Sequence, residues 1–288
     1  MRRASLMAHI AILPLSVLPA CDNAGRDTAH IADAHEAVLD AAARLTVAAG
    51  TARTESTATL SGVSGLPGPV TLTATGAVDF TGRKAVSTVD LSSLLSGTEA
   101  DDEVRSLVTV FLQGTVLVRS PMLTSLLGVD TPWMRIDRAT ASTTGTGADL
   151  GRLMQVPGSD GSALVGLLLG VVPGSVHELG QEKVRDETAT HFRATVDFRA
   201  AVERAGALTD GDRFEQFTAA LGAQDLALDA FVDGEGRLRR LAFEHELPAE
   251  TGGGLQHVEV DLFDFGIPVD ITAPPDDQVT DLVEELDG

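Results

Sequence analysis

The chain has 288 residues, with 42 Asp and Glu against 21 Lys and Arg, a formal charge of −21. An acid excess on this scale repels phosphate backbones and anionic head groups, so nucleic acid is excluded as an expected partner and a membrane link needs something other than a basic patch. With one Cys, one Trp, ten Phe and no Tyr, the chain cannot form an internal disulfide, and its interior is aliphatic, better suited to acyl chains than to stacked bases or sugars.

Arg2 and Arg3 open the chain with positive charge, and Leu6 to Leu18 is mostly apolar. This run is shorter than the roughly 20 residues a bilayer-spanning helix requires, and the small residue Ala20 follows it before the cut, as in a secretory signal. Leu18-Pro19-Ala20-Cys21 resembles the bacterial lipobox, in which the thiol receives a diacylglyceryl group and becomes the new N-terminus. Residues 1–20 are therefore expected to be a signal peptide, Cys21 a lipidated residue, and residues 22–30 (DNAGRDTAH) a flexible tether. The other reading is an ordinary signal cut near Ala20, with Cys21 a free thiol. Cleavage removes Arg2 and Arg3 and no acid, leaving 19 basic and 42 acidic residues and a charge of −23.

Ile31, Ala34, Val38, Ala42, Leu45 and Ala49 recur at helical spacing, with Asp33 and Glu36 as a capping box and Gly50 at the C-terminal end. Short Thr- and Val-rich segments punctuated by Gly and Pro follow. TARTESTATL, VTLTATGAVDF, KAVSTVDL, SLVTVFL, TVLVR and PWMRID read as strands. Residues 150–173 read as helical. VHELGQEKVRD and ETATHFRATVDF form a hairpin, two short helices follow, the second with Phe214, Phe217 and Leu221 on one face, and DLALDAFV, GRLRRLAFEHEL and HVEVDLFDF close the series. The count is about eleven strands joined by short turns, which favours antiparallel pairing. Alternation in Thr190–Phe198 and in His257–Leu262 gives one buried and one wet face. Leu107 to Val118 is apolar on both, with Leu107, Phe111 and Leu117 assigned to one side, so both faces need cover. No repeat or linker divides residues 31–288, which are read as one domain.

PWMRID, EKVRDETATHFRATVDF, DAFVDGEGRLRRLAFEHEL and FDFGIPVDITAPPDDQV resemble, in this order, actinobacterial lipoproteins of the LppX/LprG kind, which are similar in fold to the LolA/LolB carriers. The resemblance runs from the helix near residue 31 to about Val279. It implies an α+β fold: a strongly curved antiparallel half-barrel with helices on its concave face and, between them, an apolar cavity that holds acyl chains in characterised relatives. It implies no catalytic residue, and only Cys21 carries over one by one.

The apolar run Leu164–Val172 is the greasiest of the mature chain, and two readings stand open for it: a helix lining a lipid cavity, or a buried core helix. Gly166 and Gly170 leave one of its sides shallow. Leu164, Leu167, Leu168 and Val171 are the candidate lining residues on this helix. Phe111, Leu117, Met122, Leu126 and Leu127 are the candidates from the sheet side. Trp133 reads as a core residue, His245 as a hydrogen-bonded core histidine, and His257, Glu259 and Asp261 as a solvated face rather than a metal site. Arg237, Arg239 and Arg240 read as a salt-bridged surface, with an anionic head group as the alternative. The sequence contains no G-x-S-x-G, no H-E-x-x-H, no phosphate-binding glycine loop and no paired-cysteine motif. The expectation is a monomeric, non-enzymatic lipoprotein without cofactor or metal. It would be anchored through Cys21 on the extracytoplasmic face of the cell membrane and would bind or carry a lipid or acylated ligand. The alternative is an interaction module whose interior is filled by its own side chains and which docks a partner protein.

Overall fold

The computed structural model of the chain describes residues 24–94, 104–113, 115–137, 161–205, 209, 214, 215, 218, 221, 225–247, 249 and 252–282. Helix α1 (Ala24–Ala48) leads into β1 (Thr51–Ser61), β2 (Val70–Asp79), β3 (Lys84–Asp90), β4 (Ser106–Leu112) and β5 (Thr115–Arg119). Next come α2 (Pro121–Leu127), β6 (Trp133–Asp137) and α3 (Gly161–Leu167), which tightens into a 3-10 turn at Leu168–Gly170. Then follow β7 (His177–Val184), β8 (Glu187–Asp197), α4 (Phe198–Ala205), β9 (Asp225–Asp233), β10 (Leu238–Glu246), β11 (Leu255–Phe263) and β12 (Val279–Asp281).

All the strands join one open sheet in the order β12-β6-β5-β4-β3-β2-β1-β11-β10-β9-β8-β7. The first eleven coincide with the segments read from the sequence. The expected antiparallel sheet of about eleven strands gains one more strand at one edge: β12 lies parallel to β6, with Val279 opposite Trp133 and Asp281 opposite Arg135. Arg135 holds this edge by donating to Asp281 at 3.1 Å. The other edge, β7, has a bulge between Glu178 and Gly180, where Gly180 adopts φ 116°. Such a kink breaks the flat hydrogen-bonding template that an edge strand would offer.

Helix α1 begins at Ala24, inside the segment expected to be tether, so Asp33 lies within the helix and is not its cap. Its C-terminal end is as expected: Gly50, at φ 82°, follows, and its N–H donates to the Val47 carbonyl at 3.0 Å.

One face of the sheet carries the helices. There the main core joins Ala52, Val78, Ala85 and Phe111 of β1–β4 to Phe192, Leu228, Leu241 and Val260 of β8–β11 through Leu39 of α1, Leu164 and Leu167 of α3 and Ala201 of α4. Eight strands laid flat would be about 34 Å across. A single cluster running from β4 to β8 through the helices is what a sheet wrapped around them provides. A second cluster on the same face gathers Leu72, Val89, Leu107, Val118 and Met134 toward the β12 edge.

Candidate functional site

Residues paired directly across antiparallel strands share a face, so the register lays out the helix-covered side as rows. Ala52, Val78, Ala85, Phe111 and Val116 form one row. Thr54, Gly76, Ser87, Thr109 and Val118 form the next. Ser56, Ala74, Val89 and Leu107 form a third. The first belongs to the main core and most of the third to the second cluster. Between them runs a band of small hydroxyl residues, Thr54, Ser87 and Thr109, all buried, as is Ser56 beside them in the third row. A side chain at Gly76 would collide with the Val86 carbonyl and the Thr54 hydroxyl, so glycine keeps the band level.

Of the candidate lining residues, Phe111, Leu164, Leu167, Leu168 and Val171 come together in the main core. Leu164 and Leu167 are 0% exposed and Leu168 1%, so protein atoms surround them on every side. Val171 bridges to Val196, and the Val172 N–H donates to the Thr195 carbonyl at 2.8 Å, which fastens this segment to β8. Gly170 lets α4 approach closely, because a Cβ there would strike Ala201 and the Asp197 carbonyl. Gly166 similarly faces Phe214 and Thr209. The shallow side of this helix is thus occupied by neighbouring protein.

Met122 and Leu127 of α2 pack half-buried against the second cluster, with Leu123, Leu66 and Ile136 beside them. No residue of α2 is fully buried, and Leu126 is 75% exposed. The placement of Leu117 with Leu107 and Phe111 is corrected. Phe111 pairs with Val116, so Leu117 points to the outer face and packs there with Val110 and Ile271. Trp133 also lies on that face, half-buried beside Val279, with the Arg119 guanidinium 5.6 Å from its ring. Cys21 and residues 1–20 lie outside the described residues.

The outer face is a lattice of ion pairs. Asp233, its side chain 4% exposed, accepts from the N–H groups of Glu235 and Arg237 at 2.9 Å each and pairs with Arg239 at 2.7 Å. Burial alone would raise this carboxyl, but the Arg237 N–H, Arg239 and the nearby positive charges outweigh it and hold it below the ordinary carboxylate range. Asp229 is held low in the same way: burial is outweighed by hydrogen bonds from Arg193 and His191. His191 sits between Glu182 (2.9 Å) and Asp229 (2.8 Å) and stacks on Phe231 at 4.2 Å. Arg240 pairs with Asp261 and Glu259, which joins the His257 face to a neighbouring strand. Arg237, Arg239 and Arg240 are therefore spent on carboxylates, as the salt-bridged reading has it. His245 is a buried core histidine, its ring nitrogens 3.0 Å from the Gln256 amide and 3.2 Å from the Glu246 carbonyl. Among the described residues no group of three His, Cys, Asp or Glu is arranged to hold a metal ion, and no helix is long and apolar enough to cross a membrane.

Neither a protein-family model nor a curated protein matches the chain. Solved structures do. LprF from Mycobacterium bovis is 13% identical with a TM-score of 0.43, over 84% of this chain and 97% of that one. Lipoprotein LppX from Mycobacterium tuberculosis is 12% identical with a TM-score of 0.45, over 83% and 99%. A LolA superfamily protein from Nitrosomonas europaea is 11% identical with a TM-score of 0.30, over 84% and 94%.

Proposed function

We propose that the chain is a lipid-anchored envelope protein that binds or carries acyl groups between its sheet and its helices. The observation that carries this reading is the split of the helix-covered face into two apolar clusters, only one of which is fully roofed by the described residues. The main core is closed by α1, α3 and α4. Over the second lies α2, whose Met122, Leu123 and Leu127 are half-buried and whose Leu126 stands in solvent. Among the described residues this is the weakest cover over the apolar face and the natural point of entry. An acyl chain entering there would leave water at about 0.8 kcal/mol per methylene. Diacyl modification of Cys21 would hold the protein on the extracytoplasmic face of the membrane, near a donor of such chains, because two or more chains anchor stably where one does not. The reading assigns no catalytic step to any residue.

Complete burial of Leu164, Leu167 and Leu168 favours a second reading, an interaction module with a filled interior that docks a partner through its acidic surface. Native mass spectrometry with lipid extraction separates the two. Protein purified from a lipid-rich bacterial host should carry a stoichiometric acyl lipid. A bare chain that also takes up no added lipid is the result that favours the module.

A further inference from the structure

The outward side of α1 is unlike the ion-paired outer face of the sheet. Leu39, Ala42, Ala43 and Thr46 turn into the protein and are 0% exposed. On the opposite side Ala34, Ala37, Val38, Ala41, Leu45 and Ala48 recur at helical spacing and stand in solvent, Val38 at 38% and Leu45 at 44%. A solvated helix face is ordinarily polar or charged. This stripe carries no charge, and Arg44 at its margin is neutralised by Asp40 through bonds of 2.8 and 3.1 Å. It runs about 21 Å along the helix.

A second copy of the chain is a poor occupant for it. A stripe about 21 Å long and about 10 Å wide offers about 200 Å² per copy, well short of the roughly 800 Å² per partner of a stable interface. Two chains with a formal charge of −21 also repel each other. The place of the helix in the chain points to a bilayer instead. Helix α1 begins at Ala24, three residues after Cys21, so a lipid on that thiol holds the first turn within about 11 Å of the head groups. Anionic head groups repel an acidic surface and do not repel a neutral one.

Building on the lipid-anchored reading, we propose that this stripe of α1 lies along the bilayer surface, with Val38 and Leu45 reaching past the head groups. Two large side chains are too few to hold a protein on a membrane unaided. The tether makes their contact intramolecular, so a weak contact suffices to fix the orientation. The helix-covered side of the sheet then turns toward the bilayer, and the ion pairs of the outer face turn away from it.

The test uses the full lipidated chain in vesicles of phosphatidylcholine, part of it brominated along the acyl chains. An NBD fluorophore is attached at Ala41→Cys, in the middle of the stripe, or at Thr73→Cys, exposed on the outer face. The acylated Cys21 takes no label. Brominated lipid should quench the label at position 41 several-fold more strongly than the label at 73, and V38D/L45D should bring position 41 to the level of 73. Val38→Asp alone serves if the double variant does not fold. Equal quenching at both positions, or quenching at 41 that survives either variant, overturns the inference and leaves the anchor standing. A label at 41 that is shielded from aqueous iodide yet not quenched by brominated lipid assigns the stripe to a protein partner and overturns it as well. A chain that does not float with the vesicles overturns both.

Discussion

The buried hydroxyl of Thr46, in the last turns of α1, accepts the backbone N–H of Leu238 at 2.8 Å and donates to the Ala42 carbonyl at 2.7 Å. Leu238 begins β10 beside a register shift, where the ladder to β9 is interrupted, so its N–H needs a partner from elsewhere. The hydroxyl pins the helix to the middle of the sheet. Removing it leaves a donor stranded in the core. Thr46→Val should lower stability by about 2 kcal/mol and Thr46→Ser by much less, both read as shifts in the urea midpoint. Equal stability of Val and Thr at this position would show that the contact is incidental.

Gly170 is a second joint. With Ala201 and the Asp197 carbonyl against it, α4 lies directly on the 3-10 turn, and Arg204 donates to the Leu169 carbonyl at 3.1 Å. Gly170→Ala should push α4 outward and destabilise the fold by about 2–3 kcal/mol, within the range for overpacked cores. A change within about 0.5 kcal/mol, the usual size of a surface effect, would mean that α4 yields freely.

These joints also mark what the sequence discloses. Strands β1 to β11 are legible because Thr- and Val-rich runs alternate between Gly and Pro breaks. Strand β12 is not: three residues after Pro274, Pro275 and two aspartates carry no period, and their pairing partner lies almost 150 residues upstream. The sequence misplaces Leu117 for a related reason. SLVTVFL and TVLVR are apolar on both sides, so composition gives no parity, and only the Phe111–Val116 register fixes it. The hydroxyl band is inconspicuous in the sequence because Thr and Ser are ordinary strand residues. The signal was present in β1, where Arg53 and Glu55 must face water and so place Thr54 and Ser56 inward beside Ala52 and Ala58.

The Asp233 carboxylate gives the outer face a defined acid response. Its folded pKa lies below the ordinary value, so the stability it contributes is complete above the unfolded value near about 3.9 and fades as the pH falls through the folded one. Asp233→Asn should cost about 2 kcal/mol at neutral pH, since Arg237 and Arg239 lose their common counter-charge. The difference from wild type should begin to shrink as the pH falls below about 4, where the unfolded chain's carboxyl takes up its proton, and should close only below the lower pKa of the folded carboxyl. Denaturation curves at pH 7 and pH 3 check this. A gap that is the same at both would assign the loss to packing rather than to charge.

In the proposed function, anchorage would rest on the thiol of Cys21. In the proposed state, protein expressed with its leader should partition into detergent and be labelled by radioactive palmitate. Cys21→Ser should abolish both, since a hydroxyl cannot form the thioether, and should leave the folded domain's circular dichroism unchanged. Detergent partitioning by the serine variant would locate the membrane link somewhere other than this residue.

The entry point can be tested at Leu126. At 75% exposure this leucine contributes little to the fold, and a surface substitution of this kind changes stability by no more than about 0.5 kcal/mol. Its neighbours Met122, Leu123 and Leu127 reach the second cluster. A chain entering under α2 must pass them, and an aspartate at the rim would meet it with charge. Leu126→Asp should therefore slow uptake of a fluorescent long-chain acyl probe several-fold while the denaturation midpoint stays in place. Leu164→Ala, deep in the closed core, should do the opposite: it should lower stability by about 2–5 kcal/mol through the cavity it leaves and alter the uptake rate only in proportion to unfolded protein. If the Leu126 variant takes up probe at the wild-type rate, α2 is not the door, and the lipid must enter through another part of the rim.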